Sequence, residues 1–287
     1  MGSFVNIKVG TQNCRGLNDV SKRKNLFENF EKSKLTVILL QETKLEPSQH
    51  LLVSEEWTRG PIFLNSVRGK RSGTAVLFNT HNIKILNDCY DRDGRVISLD
   101  FEILGDRFHL VNFYVPNDSS EKFNFIQNSY KYVMSNFPII LGGDFNLTSD
   151  NTIDRYPARQ SNDTHCGNLK TLVNTFNLDD SCRFLYPTAL WYTFKAKNVD
   201  KVNMSRIDRI FAAKYFTIMS YDQSDCEFSD HELVFTHLQY QSKMVFGQGP
   251  WRNNTKFYNS EDFLEKFEER WEKLKKEKRA LYYGNII

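Results

Sequence analysis

The chain of 287 residues has no apolar run near the roughly 18 residues that a membrane span needs, so nothing in it reads as crossing a bilayer. The first residues lack the apolar core of a secretory signal. Met1 and Gly2 open like a myristoylation signal, but Asn6 stands where that signal requires Ser or Thr. Cysteine is sparse. The five, at 14, 89, 166, 182 and 226, are odd in number and form no C-x-x-C pair. That excludes a zinc site and reads as reduced thiols in a cytosolic or nuclear protein. There is no G-x-S-x-G elbow and no G-x-x-x-x-G-K-[ST] phosphate loop. An excess of one charge is also missing from most of the chain. The net +3 comes from residues 241–287, with ten Lys and Arg against seven Asp and Glu, whereas residues 1–240 hold 28 of each. A polyanionic partner must therefore be met by a local patch.

What is present is an ordinary globular composition, 40% hydrophobic and 25% charged, with room for a large core. Strand-like runs recur at 6–13, 35–42, 72–79, 95–103, 108–116, 137–146, 206–214 and 231–240. Several alternate apolar and polar, while 36–41 and 138–141 are continuously apolar, as inner strands are. Helical periodicity is predicted at 21–33, 121–135 and 167–176. This pattern predicts an α/β protein with two packed sheets and helices outside. Residues 180–204 read as a surface loop. After Tyr240 the texture changes: "FGQGPWRNN" leads to a helix capped by Asn259 or Ser260, with an apolar stripe of Phe263, Phe267, Trp271 and Leu274. That stripe either packs back on the domain or opens a further segment of a longer protein.

The apolar runs deliver polar groups at their tips. Asn13 follows the first; Gln41, Glu42 and Thr43 end the second; Asn112, Tyr114 and Asn117 close the fifth; Asp144 and Asn146 close the sixth. Ser205, Arg206 and Asp208 begin the next, and Ser229, Asp230 and His231 begin the last. Each piece alone has a plain structural reading, since Asp-x-Asn is usually a turn and Arg206-x-Asp208 could be a surface ion pair. Six such pieces, each at a strand end, make a pre-organised site the better reading. Several carboxylates with an amide suit a hard cation such as Mg²⁺. His231 could carry positive charge towards a phosphate if a carboxylate bonds its second nitrogen. Together these groups fit an anionic, phosphate-centred transition state.

In this order, "TQNCRGL", "LLQETK", "NFYVPN", "LGGDFN", "SRIDRI" and "SDHELV" resemble the six motif blocks of the endonuclease/exonuclease/phosphatase superfamily over residues 4 to about 240. That superfamily includes exonuclease III-type abasic-site endonucleases, inositol polyphosphate phosphatases, sphingomyelinases and the endonuclease domains of LINE-type (non-LTR) retrotransposons. "SRIDRIFAA" before "SDHELV", "TIDR" after "GDFN", and "GQGPWRNN" with Gly249, Trp251 and Asn254 are most similar to the LINE endonucleases. The resemblance implies a four-layered α/β sandwich of two facing mixed sheets flanked by helices. It further implies an AP-like endonuclease domain at 1–240, and a linker and helix at 241–287 leading towards a reverse transcriptase domain of the same polyprotein.

By the same resemblance, Glu42 is the principal Mg²⁺ ligand, helped by Asn13 and Asp230, with Mn²⁺ as a substitute. Asp144 deprotonates the attacking water and Asn146 holds it or the phosphate. His231 donates to a non-bridging oxygen while Asp208 bonds its other nitrogen. Tyr114 lies against the phosphate as phenol or phenolate. Arg155, Thr193, Ser205, Arg206 and Ser229 are expected on the DNA or in support of the site. Lys70 and Arg71 in "RGKRSG" and Lys195 in "LWYTFKAKNVDKVN" are expected to meet double-stranded DNA, the latter loop having the plainer alternative of a hydrophobic anchor with solvated lysines. The implied product is a nick with 3′-OH and 5′-phosphate made by a nuclear, monomeric domain. Abasic-site repair, a phosphoinositide or sphingolipid phosphoesterase, and a catalytically dead DNA-binding module are the competing readings.

Overall fold

A computed structural model describes residues 3–196, 202–242 and 264–272. The chain divides into two units, residues 1–245 and 246–287. In the second, residues 264–272 are helical and the rings of Phe267 and Trp271 stack at 6.3 Å. The expected cap at Asn259 or Ser260, the "GQGPWRNN" stretch, and Phe263 and Leu274 of the stripe lie outside the described residues.

The first unit starts with β1 (Phe4–Asn13), α1 (Val20–Lys32), β2 (Val37–Gln41), α2 (His50–Glu56), β3 (Ile62–Asn65) and β4 (Thr74–Phe78). It continues with β5 (Lys84–Tyr90), β6 (Val96–Ile103), β7 (Asp106–Tyr114), α3 (Ser119–Val133), β8 (Ile139–Asp144), β9 (Arg155–Tyr156) and α4 (Cys166–Thr175). It closes with β10 (Leu178–Asp180), α5 (Ser181–Leu185), β11 (Phe194–Ala196), β12 (Asn203–Ser205), β13 (Asp208–Ala213), β14 (Phe216–Ser224) and β15 (Leu233–Gln241). One mixed sheet has the order β14-β15-β1-β2-β4-β3 and the other β10-β13-β8-β7-β6-β5; β11, β12 and β9 form a small third sheet. The segment 180–204, expected to be a loop, therefore supplies a short helix and two strands, because a three-residue strand carries too little pattern to show against its flanks.

The architecture is the expected four-layered α/β sandwich. Val37 and Leu39 of β2 enter the core between the sheets, while Ile38 and Leu40 pack on α1 and α2 through Leu26, Phe27, Phe30 and Val53. Burial on both faces is why this strand is continuously apolar. On the far side, Ile126 and Val133 of α3 and Leu169 and Leu172 of α4 cover the second sheet. Asp19, Asp118 and Asp180 cap α1, α3 and α5 by accepting backbone N–H bonds.

The sheets approach closely at the end that carries the polar tips. A Cβ on Gly142 would lie 2.6 Å from Leu39 Cδ1 across the interface, and one on Gly143, at φ +142°, would lie 1.9 Å from the Phe113 carbonyl oxygen. At Gly143, where the contact is backbone and φ is positive, only glycine fits. Asn112 ties the two sheets, its Nδ2 donating to Leu40 and Ala75 carbonyls at 3.0 and 2.9 Å. Asn112 is fully buried and acts as this clamp.

Candidate active site

Strand pairing fixes which tips meet. Asn13 pairs with Gln41, so Glu42 emerges beside the end of β1. Asp144 pairs with Tyr114 on one side and with Asp208 on the other. The sandwich then brings these two sets of tips together. Asn13 Nδ2 donates to Glu42 Oε1 at 3.0 Å and to Asp144 Oδ2 at 2.9 Å. Tyr114 O–H donates to the same Glu42 oxygen at 3.0 Å. The Asn146 backbone N–H donates to Asp144 Oδ1 at 2.9 Å. His231 Nδ1 lies 3.1 and 2.9 Å from the two Asp208 oxygens. One ligand atom each from Asp144, Asp208 and His231 falls within 4.8 Å of the others.

Four non-glycine residues here have left-handed backbones: Arg15 (φ 53°), Glu42 (52°), Lys44 (53°) and Asn146 (50°). Such conformations cost on the order of 1–3 kcal/mol each, and the surrounding packing holds them. They turn the chain sharply at the strand ends, which aims Glu42 and Asp144 at each other across the gap.

The electrostatics divide the groups by role. Burial, with Asp208 nearby, raises Asp144 to about 7. Burial alone would depress His231, but Asp208, then Asp144 and Asp230, raise it to about 9, so the imidazole is cationic at neutral pH. Burial opposes ionisation of Glu42, yet Asn13, Lys44 and Arg15 hold it below the usual carboxylate range. Tyr114 is pushed up by burial and by Glu42 and Asp144, so it is a phenol and a donor.

The donor set around Glu42 fits a hard divalent cation. The carboxylate is ionised, and it already attracts two protein cations, Lys44 Nζ at 2.9 Å and Arg15 Nη1 at 3.6 Å. Glu42 and the Asn13 carboxamide oxygen are hard ligands of the kind Mg²⁺ takes. The Asp144, Asp208 and His231 group is closer-knit, but a cationic imidazole at its centre repels a metal ion. Asp230 fits less well than the sequence suggested. Arg15 Nε and Nη2 bind its two oxygens at 2.7 and 2.5 Å. A bidentate guanidinium takes the positions a metal would use.

Several residues expected on DNA are placed elsewhere. Thr193 is buried, and its Oγ1 donates to Asp208 Oδ2 at 2.7 Å while accepting from the Ile207 and Asp208 backbones. It orients Asp208. Arg206 is fully buried between Asp154 (2.8 Å) and Asp180 (2.9 Å). Ser205 is buried in the small sheet, opposite Arg155 and Phe194. Arg155 is held by Asp163 at 2.7 Å. Ser229 Oγ donates to the Asn13 carbonyl at 2.7 Å and ties the His231 loop to β1. Thr193, Arg206, Arg155 and Ser229 already have their polar atoms engaged within the protein, and Ser205 is buried, so these five fit supporting positions better than an open contact surface. Lys70 is exposed and paired with Asp93 at 2.6 Å, Arg71 is exposed, and Lys195 is paired with Glu232 at 2.6 Å.

Sequence reasoning missed Arg15, Lys44, Lys122 and Asp154. The first two stand inside "TQNCRGL" and "LLQETK", each two residues from a named ligand, and proximity was the available signal. Lys122, on α3, donates to the Asn146 carbonyl at 2.6 Å, a long-range contact with no local signature. Asp154 gathers Arg183, Arg206 and Arg209.

A carboxyl raised to about 7, a charged imidazole facing it and an ionised carboxylate among hard donors suit metal-assisted phosphoester hydrolysis. The chain belongs to the Endonuclease/Exonuclease/phosphatase family, whose pattern it matches over residues 10–231. It is a divalent-metal-dependent phosphodiesterase. An exodeoxyribonuclease of Bacillus subtilis (strain 168) is 25% identical over 224 residues, spanning 70% of this chain and 86% of that protein. A DNA-(apurinic or apyrimidinic site) endonuclease of Dictyostelium discoideum is 32% identical over 119 residues, 39% of this chain but only 30% of that protein. Among solved structures, an AP endonuclease from Archaeoglobus fulgidus superposes with TM-score 0.67 at 18% identity, over 80% of this chain and 98% of its own. The endonuclease domain of TRAS1, a telomere-specific non-LTR retrotransposon, superposes with TM-score 0.60 at 15% identity, over 83% and 100%. Among the described residues no helix is long and apolar enough to cross a membrane.

Proposed function

We infer that the chain is the DNA endonuclease domain of a LINE-type retrotransposon, which nicks double-stranded DNA to leave 3′-OH and 5′-phosphate. In this reading the domain, residues 1–240, works as a monomer in the nucleus. The 3′-OH primes the reverse transcriptase domain of the same polyprotein, reached through residues 241–287. The observation that carries the chemistry is the opposition of Asp144 to the Asp208–His231 pair within 4.8 Å. The LINE assignment rests on the "TIDR", "SRIDRI" and "GQGPWRNN" blocks.

Asp144 takes a proton from the attacking water, and the Asn146 backbone N–H fixes the carboxylate that does so. Asn146 Nδ2 donates to the Val115 carbonyl at 2.8 Å, so its amide nitrogen holds the loop and its carboxamide oxygen is the atom offered to water. His231 Nε2–H donates to a non-bridging phosphate oxygen, with Asp208 keeping the ring charged. Tyr114 and Asn13 orient Glu42. Glu42 and Asn13 would hold Mg²⁺ or Mn²⁺, which when bound supplies Lewis-acid stabilisation of phosphate charge.

The test is nicking of supercoiled plasmid with Mg²⁺, with the ends mapped. Parent-like nicking by a folded Asp144→Ala protein would defeat the assignment, and 3′-phosphate ends would defeat the chemistry. A second reading, abasic-site repair, is favoured by the name of the Dictyostelium relative. It needs the same residues and differs only in substrate.

A further inference from the structure

A second cleft, of about 560 Å³, opens between α1 and the β14–β15 connection. That volume lies within the range of small-molecule sites. Its walls are apolar: Leu26 and Phe30 of α1, Leu35, Phe228, and Leu233 and Phe235 of β15. Gln12 also lines it. This side chain is 1% exposed, and its Nε2 has no hydrogen-bond partner. On β1 the odd-numbered Val5, Ile7 and Val9 point into the core between the sheets, so Gln12 points to the α1 side, into the cleft. A buried amide donor without an acceptor is costly, and a leucine of similar size would remove that cost. Lys8 and Lys34 line the cleft together with Asp225 and Glu227, so its cations and anions balance and it favours neither sign of charge.

We propose that this cleft is a binding site for a small aromatic molecule bearing an oxygen acceptor, which receives the Gln12 Nε2–H donor between the apolar side chains. The six apolar side chains supply the contact area and the amide supplies orientation. The site is distinct from the phosphodiester centre but shares its supports. Gln12 immediately precedes Asn13, and the wall formed by residues 224–228 runs straight into Ser229, Asp230 and His231. The half-buried thiol of Cys226 lines the same wall and gives a local reporter.

The experiment uses the full chain and 8-anilinonaphthalene-1-sulfonate, an aromatic anion whose sulfonate oxygens accept hydrogen bonds. Fluorescence titration is expected to give one saturable site. At ten times Kd, alkylation of Cys226 followed by mass spectrometry should slow about elevenfold, by mass action, with Cys89 and Cys166 unaffected. Gln12→Leu should weaken binding by roughly three- to tenfold and raise Tm, because it removes both the ligand's donor and an unsatisfied buried group. A purely structural glutamine would not move the two in these opposite senses. Asn29→Trp, at an exposed α1 position lining the cleft, fills it from the helix side and should abolish binding without unfolding the chain. Unprotected Cys226, or parent-like affinity in both variants, overturns the proposal, and so does the lack of any saturable signal. None of these readouts uses nuclease activity, so their failure is separate from failure of the catalytic reading.

Discussion

The carboxylates of Glu42 and Asp144 are joined through one nitrogen, Asn13 Nδ2, at 3.0 and 2.9 Å. A neutral donor placed between two acids holds them at a fixed distance and lowers their mutual repulsion. Asn13→Asp replaces that donor with a third acid. Repulsion should then raise the apparent pKa of the group and loosen its geometry. We expect nicking to fall by roughly 10²–10³-fold, the scale on which one pre-organised hydrogen bond counts in a transition state. Plasmid nicking by the folded variant measures this, and a loss under threefold would show that the bridge is dispensable.

Asp208 does to His231 what a counter-ion does to any buried imidazole. Burial favours the neutral ring, and Asp208 reverses the balance, to about 9. The charged ring is fully present below that value and is lost as pH rises through it, which sets the descending limb, while protonation of Asp144 below about 7 sets the ascending one. Asp208→Asn leaves burial in place and withdraws the charge, so the descending limb of the pH–rate profile should move to lower pH. The rate at neutral pH should fall by about 10²–10⁴-fold. An unmoved limb in a slow variant would mean that His231 is not the group titrating there.

Much of this site was legible in the sequence because each of its groups sits at the end of an apolar run. Asn13, Glu42, Tyr114, Asp144, Asp208 and His231 are adjacent in the fold as the order of blocks implied. The supports were harder. Arg206, Thr193 and Ser229 carry polar chemistry that suits DNA equally well, and only burial of the first two and the internal hydrogen bond of Ser229 separate the two uses. A sequence shows what a side chain can bond and not what it faces once the loops have closed. The short strands β9, β11 and β12 escaped for a related reason: two or three residues hold no period, and their pairing comes from the loops that meet there.

Asp154 should govern stability in acid. Burial opposes its ionisation, but Arg206 and Arg209 hold it far below the usual carboxylate range. A depressed carboxyl contributes stability that is fully present above its unfolded value, near 3.8, and is lost as pH falls through the folded value. Asp154→Asn leaves Arg206 facing Asp180 alone and Arg209 without its carboxylate. We expect a loss of about 3–5 kcal/mol, the scale of breaking a buried ion pair, read from urea unfolding at pH 7. The gap between parent and variant should narrow below pH 4. A constant gap down to pH 2 would contradict this origin of the stability.

Lys44 and Arg15 already pair with the Glu42 carboxylate, Lys44 at 2.9 Å. Protein cation and divalent cation then compete for one carboxylate. Lys44→Met should lower the half-saturating Mg²⁺ concentration by about three- to tenfold, the equivalent of roughly 1 kcal/mol of competing ion pair. Mn²⁺ titration followed by electron paramagnetic resonance gives the same comparison without turnover. Excess EDTA should stop nicking in both proteins and added Mg²⁺ should restore it. A weaker metal affinity in Lys44→Met would instead make Lys44 an orienting partner of Glu42.

The two substrate readings part at the lesion. A repair enzyme must hold an abasic site more tightly than intact DNA, which takes a pocket matched to the missing base. A retrotransposon endonuclease cuts intact duplex and chooses by sequence or deformability. One duplex, with and without a single tetrahydrofuran abasic analogue, separates them in parallel reactions. The LINE reading expects rates within about tenfold of each other, close to 1.4 kcal/mol of discrimination. It also expects nicks on the intact duplex to cluster at preferred steps. A hundredfold preference for the lesion, with diffuse and slow cutting elsewhere, would assign the same Asp144, Asp208 and His231 to repair, because those residues serve either substrate while the surrounding loops choose between them.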